Sequence, residues 1–149
     1  MAFLDVLDEM VPSDRVEILT RAEELKFEDG QIIIEECVEN RSIYFIIDGE
    51  VEVHSIAPTI ADADRFVLLA TLGVGSVLGE MTFLTHEKTS ARVVASGAVT
   101  TLTLDHRKLG QLVQSEPELA ARFYRSIAIT LAHRLAHSNI AAARNLPAS

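Results

Sequence analysis

The sequence of 149 residues predicts one mainly β domain with flanking helices. Two observations predict this fold class: short β-branched runs separated by turn residues fill the middle of the chain, and helical periodicities lie on either side of them. A third observation, the absence of a Pro/Gly/Ser-rich linker or a solenoid repeat, favours a single domain over residues 1–149. We therefore expect an N-terminal helical segment at 1–27, a β-roll at 28–105 and C-terminal helices at 106–143.

The first segment, residues 1–27, has the periodicity of a helix. Ser13 stands at the start of PSDRVEILTRAEELKF, where a small polar residue favours an N-cap. Glu28-Asp29-Gly30 follows as a turn signal, and there the period changes. Apolar residues recur every three positions along this segment: Val16, Leu19, Ala22 and Leu25.

The middle of the chain contains six short runs with strand character. Apolar Val51 and Val53 alternate with Glu52 and His54, which predicts a strand with one face in water. Asp48-Gly49 lies between two runs and predicts a hairpin turn. Six or more short strands at this spacing favour an all-β sandwich or barrel. The runs are QIIIEE, SIYFIID, EVEVHSI, FVLLATL, ARVVAS and VTTLTLD.

Helical periodicity returns at the C-terminal end. Asp105 is placed to cap one short helix, and Pro117 suits the first turn of a longer one. An apolar stripe every four residues would run for about 25 residues along the second helix. A helix this long needs a surface to bury against, so we expect the β-roll to cover part of it and a second copy of the chain to cover the rest. The stripe consists of Leu119, Phe123, Ile127, Leu131 and Leu135.

Composition excludes several classes of function. The single cysteine, Cys37, cannot form an intramolecular disulfide, and the acidic first ten residues do not resemble a signal peptide, so we expect a cytoplasmic protein. The net charge is −9, and residues 1–52 hold 15 acidic side chains against 4 basic ones. Because nucleic-acid affinity depends on cationic contacts, we expect no nucleic-acid partner. Glycines and Glu80 interrupt the most apolar stretch, so we expect no membrane span.

The sequence offers no constellation typical of an enzyme. No nucleophile stands with a base, and no pair of carboxylates has a reason for shifted pKa values. His133 and His137 have the spacing of a metal pair on one helix face, but no third His, Cys or Glu motif accompanies them. We therefore expect no catalysis, no metal and no cofactor.

Four segments carry a resemblance to a known family: FEDGQIIIEE, YFIIDGEVEV, LATLGVGSVLGEM and TSARVVA. Together they resemble the cyclic nucleotide-binding domain, which is the sensor module of catabolite-activator-type transcription factors, cyclic-nucleotide-dependent kinases and gated channels. The resemblance covers nearly the whole chain. It implies an eight-stranded jelly-roll, or double-stranded β-helix, with an N-terminal helix and a long C-terminal helix. It also implies cAMP or cGMP as the ligand.

Within this resemblance, residues 79–93 (GEMTFLTHEKTSARV) correspond to the family's phosphate-binding cassette. Gly79 would let the backbone approach the ligand, and Glu80 would accept a hydrogen bond from the ribose 2′-hydroxyl. Backbone amides of the turn from Met81 would face the phosphate, and Ser90 would donate to it. The residues of this segment that we expect to bind ligand are Gly79, Glu80, Met81, Thr82, Lys88, Thr89, Ser90 and Ala91.

The chain departs from the family at Thr89, where family members have an arginine that binds the phosphate. A hydrogen bond to a charged group contributes on the order of 1.5–3 kcal/mol, which is about 10- to 150-fold in affinity. Lys88 and Arg92 are the nearest candidates to restore this charge, although both also suit a solvated surface position. The resemblance places the purine against the C-terminal helix near Thr130–Arg134, with Arg134 as the best placed polar residue. A solvated Arg134 is the alternative.

The expected function is therefore a regulatory sensor that binds a cyclic nucleotide weakly or atypically and signals through its C-terminal helix. The alternative is a degenerate module that binds no ligand and acts through protein contacts and dimerisation. We find no helix-turn-helix, kinase, channel or transporter segment in the chain, and Met1 slightly favours a whole protein over a fragment.

Overall fold

A computed structural model describes residues 7–56 and 66–144 of the chain, with side chains described up to His137. None of the helices in this part of the chain combines the length and the apolar character that a membrane span needs. The helices are α1 (Pro12–Leu19), α2 (Glu80–Thr85), α3 (His106–Ser115) and α4 (Pro117–Arg144). The strands are β1 (Glu23–Phe27), β2 (Ile32–Ile34), β3 (Ser42–Ile56), β4 (Phe66–Leu72), β5 (Val77–Leu78) and β6 (Arg92–Asp105).

Two long antiparallel strands, β3 and β6, form the centre of the sheet. They pair over nearly their whole length, from Ser42 opposite Asp105 to His54 opposite Arg92. The strand order is β1-β6-β3-β4, and the short strands β2 and β5 pair with β6 and β3 respectively. The structure is thus mainly β sheet with flanking helices, as the sequence predicts.

The resemblance implies eight strands, whereas the described residues contain six: β3 and β6 each join two of the six predicted runs, and β1 and β5 lie outside those runs. The prediction of a hairpin at Asp48-Gly49 is wrong. Gly49 has a positive φ of 90°, but it sits in β3, and the register with β6 shifts on both sides of Asp48. A glycine with positive φ suits a β-bulge as well as a hairpin turn. Pairing with the long strand β6 on both sides of Gly49 selects the bulge.

The N-terminal helix is shorter than predicted. Helix α1 ends at Leu19, and Glu23–Phe27 form β1, which pairs antiparallel with β6. The prediction of helix up to residue 27 is therefore wrong for 23–27, because sheet pairing overrides a local periodicity that short strands also satisfy. Ser13 is not the N-cap: Val11 precedes the helix, and its N–H lies 3.4 Å from the Asp14 carboxylate. The part of the predicted segment at 1–6 lies outside the described residues.

Both predicted starts of the C-terminal helices are confirmed. The Asp105 carboxylate accepts hydrogen bonds from the Arg107 and Lys108 N–H groups at 2.7 and 3.3 Å, which caps α3. Helix α4 begins at Pro117. Its apolar stripe is buried only in its first half, since Phe123 is fully covered whereas Leu135 is 63% exposed. The domain therefore covers the N-terminal half of the α4 stripe and leaves Leu135 open.

The core consists of two clusters that hold α4 and the sheet in place. One cluster joins the helices to the sheet and contains Phe45, Leu109 and Phe123. The other is formed by side chains of the strands alone and contains Val51 and Val99. An ion pair between Arg122 and Asp14 also ties α4 to α1, and its hydrogen bonds hold the pKa of Asp14 below its ordinary value. These contacts fix α4 across one side of the sheet.

Candidate ligand-binding site

A cleft of about 1090 Å³ lies between the sheet, α2 and α4. Strands β4 and β5 form one wall, the segment around α2 forms the floor, and one face of α4 forms the opposite wall. Most of the side chains from the sheet are apolar, and most polar groups come from Asp8 and Glu9, from α2 with the loop after it, and from α4. A concave, mainly apolar site with a few polar groups is the usual form of a small-molecule site. Its polar lining includes Glu80, Thr82, Ser90, Thr130, His133 and Arg134.

Gly79 precedes α2 and can only be a glycine in this conformation. Its φ is 82°, in the left-handed region, and a Cβ there would overlap the Ser42 carbonyl oxygen and lie 2.6 Å from Asn40 Nδ2. Asn40 Nδ2 donates to the Ser42 carbonyl at 2.7 Å and to Thr82 Oγ1 at 3.2 Å. Thr82 Oγ1 in turn donates to the Gly79 carbonyl at 3.0 Å. The close approach of β3 thus positions the start of α2.

Glu80 is buried at the floor of the cleft and is held by the C-terminal helix. Its side chain is 6% exposed, and Arg134 Nη1 donates to Oε1 at 3.0 Å. Arg134 Nη2 also donates to the Val77 carbonyl at 2.7 Å. Burial raises the pKa of Glu80, and the positive charge of Arg134 opposes this rise without cancelling it. Arg134 is therefore a cleft residue with fixed partners, which excludes the alternative of a freely solvated arginine.

Thr89 is buried, and its polar atoms are engaged by the segment after β2. Its hydroxyl donates to the Glu35 carbonyl at 2.5 Å and accepts from the Val38 N–H at 3.0 Å. Its backbone exchanges two further hydrogen bonds with Cys37 and Val38, both at 2.9 Å. An arginine at this position would remove the hydroxyl that bonds to the Glu35 carbonyl and the Val38 N–H, and each such hydrogen bond contributes about 0.5–1.5 kcal/mol. Thr89 thus attaches its loop to the segment after β2 and has no free hydroxyl hydrogen for a ligand.

Neither Lys88 nor Arg92 lines the cleft. Lys88 is exposed on the loop. The Arg92 Nε donates to Glu35 Oε1 at 2.8 Å, and its guanidinium lies 3.8 Å from the centre of the Phe66 ring. This hydrogen bond is the main reason why the pKa of Glu35 is lowered. The structure therefore gives no support to either residue as the replacement for the missing arginine, and their role in binding stays a prediction.

The other residues of the predicted cassette lie at the cleft. Glu80, Thr82 and Thr89 are buried there, Gly79 and Ala91 are half-buried, and Met81 and Ser90 are exposed. The structure thus brings together all of the predicted binding residues except Lys88. Their contact with a ligand remains a prediction.

The sequence analysis placed His133 and His137 on one helix face and Thr130 near the ligand, but it did not combine them with Ser126 into one polar face of α4 that lines the cleft. Its four members follow a spacing of four, three and four residues, which places them on one helix face. This spacing could have revealed the polar face, but the apolar stripe on the neighbouring face gives a stronger periodic signal. The four residues are Ser126, Thr130, His133 and His137.

An aromatic cluster joins α2 to α3 and α4. The Phe83 ring centre lies 5.3 Å from that of His106, 6.2 Å from that of Phe123 and 6.5 Å from that of Tyr124. Burial lowers the pKa of His106, which favours the neutral ring beside these apolar partners. The cluster thus joins α2, the helix that begins at Glu80, to both α3 and α4.

The sheet, the short helix α2 and the long C-terminal helix α4 together enclose this cleft. The family model described as the cyclic nucleotide-binding domain matches residues 24–116, and the chain belongs to this family. Cyclic GMP-binding protein C of Dictyostelium discoideum is 30% identical over 129 residues, which are 86% of this chain but 5% of that protein. This chain thus spans a small part of that relative.

Two solved structures show the same fold at lower sequence identity. A cyclic nucleotide-binding domain from Methylobacillus flagellatus has a TM-score of 0.87 and 18% identity, and the alignment covers 99% of this chain and 84% of that one. The catabolite activator protein of Thermus thermophilus has a TM-score of 0.75 and 21% identity, with 91% of this chain and 60% of that one covered. These similarities establish the jelly-roll-like fold of the family.

Proposed function

We propose that the chain is a regulatory sensor module that binds cAMP or cGMP in the cleft and signals through α4. The observation that carries the proposal is the contact between Glu80, the expected ribose acceptor, and Arg134 of α4. A ligand at Glu80 would meet the residue that holds the helix in place. Membership of the cyclic nucleotide-binding domain family supports the ligand class, and a relative that is named for cyclic GMP binding adds support for cGMP.

The proposed binding mode assigns a separate chemical role to each wall. Glu80 accepts a hydrogen bond from the ribose 2′-hydroxyl, and the amides after Gly79 together with Ser90 donate to the phosphate. Apolar side chains of the sheet such as Leu69 and Leu72 offer a surface for the base. Because Thr89 adds no positive charge, we expect weak binding by the standard of family members that have arginine at this position.

The proposed signalling step works through the carboxylate that both the ribose and Arg134 would contact. A ribose hydroxyl that bonds to Glu80 changes the surroundings of the Arg134 guanidinium, which also bonds to Val77. A ligand shifts the position of a helix only by its difference in affinity for the two positions. We propose that the Glu80–Arg134 contact provides this difference in affinity.

Thermal unfolding in the presence of cAMP and cGMP tests the ligand. We expect a stabilisation that grows with ligand concentration and approaches about 2.7 kcal/mol at a hundredfold excess over Kd. The 2′-deoxy analogue of the same nucleotide is the matched control and should stabilise less, because it lacks the hydroxyl assigned to Glu80. If neither nucleotide changes the unfolding temperature at millimolar concentration, the proposal fails.

Two observations support a second candidate function, a module that binds no nucleotide and acts through protein contacts. The Glu80 carboxylate already accepts a hydrogen bond from Arg134, and the hydroxyl of Thr89 already donates to the Glu35 carbonyl. The acidic residues 1–52 would attract a basic protein partner. This candidate predicts no response in the nucleotide titration. Both candidates describe a cytoplasmic protein without catalytic activity.

We further propose that the module forms a homodimer through α4. Leu135 is 63% exposed and Tyr124 is 42% exposed on this helix, so the domain leaves an apolar surface for a second copy. Sedimentation velocity should show a dimer that weakens in Leu135→Asp. Leu135 is the better test position than Ile127, which is buried in the domain's own core. A wild-type monomer at high concentration would contradict this proposal.

A further inference from the structure

The cleft contains one strong cation among its described lining residues, and that cation is on α4. Lys88 and Arg92 are outside the lining, and no arginine stands at position 89. Arg134 is inside it, with 30% of its side chain exposed. The two histidines of the same wall, His133 and His137, lie near the mouth and are exposed. The fixed positive charge of the site is therefore on the helix wall and not on the cassette loop.

Arg134 is held in a way that leaves donors available. Its guanidinium has five N–H groups, and the structure assigns acceptors to two of its nitrogens, at Glu80 Oε1 and at the Val77 carbonyl. These two contacts, at 3.0 and 2.7 Å, fix the plane of the group at the floor of the cleft. A guanidinium fixed in this way loses little side-chain entropy when it binds an anion, and its planar fork suits a phosphate.

We propose that Arg134 supplies the phosphate contact that Thr89 cannot supply, so that the anion-binding charge of this module is on α4. The inference rests on the proposed function and adds to it a specificity-determining residue. The phosphate then lies between Arg134 and the α2 end of the cleft, within reach of the remaining guanidinium donors. Ligand binding and helix position depend on the same side chain, because a bound phosphate adds a second anionic partner that holds Arg134, and with it α4, on the sheet.

Calorimetric titration of the full chain with cGMP and cAMP, for wild type and Arg134→Gln, tests this assignment. Loss of one charge-assisted contact should weaken binding by about 10- to 150-fold. Arg134→Lys should fall between the two, because it keeps the charge and loses the planar fork. The matched control is Arg107→Gln, which removes the same charge from an exposed position of the neighbouring helix α3. Arg107 does not line the cleft, so the affinity of this variant should stay within about twofold of wild type.

A second ligand separates an anion contact from a general structural effect. Guanosine and adenosine lack the phosphate, so Arg134→Gln should leave their affinity nearly unchanged while it weakens the cyclic nucleotides. If Arg134→Gln binds cyclic nucleotides as well as wild type does, or if Lys88→Gln loses more affinity than Arg134→Gln, the assignment is overturned and the proposed function stands. If wild type itself binds no cyclic nucleotide, the proposed function fails with it. Far-UV circular dichroism of each variant confirms that α4 is still formed.

Discussion

Phe123→Ala is expected to lower the free energy of unfolding by about 3–5 kcal/mol, the range for loss of a buried aromatic side chain. Phe123 is fully buried in the cluster that joins α4 to the sheet, and its ring packs against Phe83 of α2. Alanine leaves a cavity between the two helices that the long central strands cannot close. Urea denaturation followed by circular dichroism measures the change.

The neighbouring aromatic residue supplies the control for Phe123. Tyr124 belongs to the same aromatic cluster, yet it is 42% exposed. Tyr124→Ala should therefore cost clearly less than Phe123→Ala. Equal losses for the two variants would contradict the view that burial of Phe123 attaches α4 to the domain. A drop in cyclic-nucleotide affinity in Phe123→Ala alone would connect this attachment to the cleft.

Gly79→Ala should have the second largest effect, because two separate costs add at this residue. A left-handed backbone costs an alanine about 1–2 kcal/mol. The new Cβ would also overlap the Ser42 carbonyl oxygen, so β3 or the start of α2 must move. We expect a total loss of stability of roughly 2–4 kcal/mol, since a forced backbone shift adds to the conformational cost. Nucleotide affinity should fall as well, because the amides after Gly79 leave their positions.

Gly97 provides a matched control that separates the two costs. It has a similar φ of 78°, but a Cβ there would meet nothing within 4 Å. Gly97→Ala should therefore show only the conformational cost of about 1–2 kcal/mol, with nucleotide affinity unchanged. If both variants lose the same stability, the close approach of β3 to Gly79 is not what positions α2. Thermal unfolding and nucleotide titration of the pair distinguish these outcomes.

Local sequence features predicted much of the fold correctly, and the errors have a common cause. Asp105 and Pro117 start their helices as expected, since caps depend on atoms a few residues away. At Gly49 and at 23–27 the local signal allowed two structures, and pairing with β6 selected the one that local reasoning did not. The structure at both places depends on pairing with a strand about 50 to 80 residues further along the chain, and a local sequence pattern carries no information about that strand.

The candidate site divides in the same way. By itself, the sequence indicated the family, and it predicted a cassette at 79–93 that lacks the usual arginine. Only the tertiary structure decided that the hydroxyl of Thr89 bonds to the segment after β2, and that Arg134 reaches Glu80 across 54 residues of chain. A motif such as the cassette consists of residues close together in the chain, so the sequence shows it directly. The partner of a buried charge follows from how α4 packs on the sheet, because a carboxylate removed from water needs a donor from whichever element covers it.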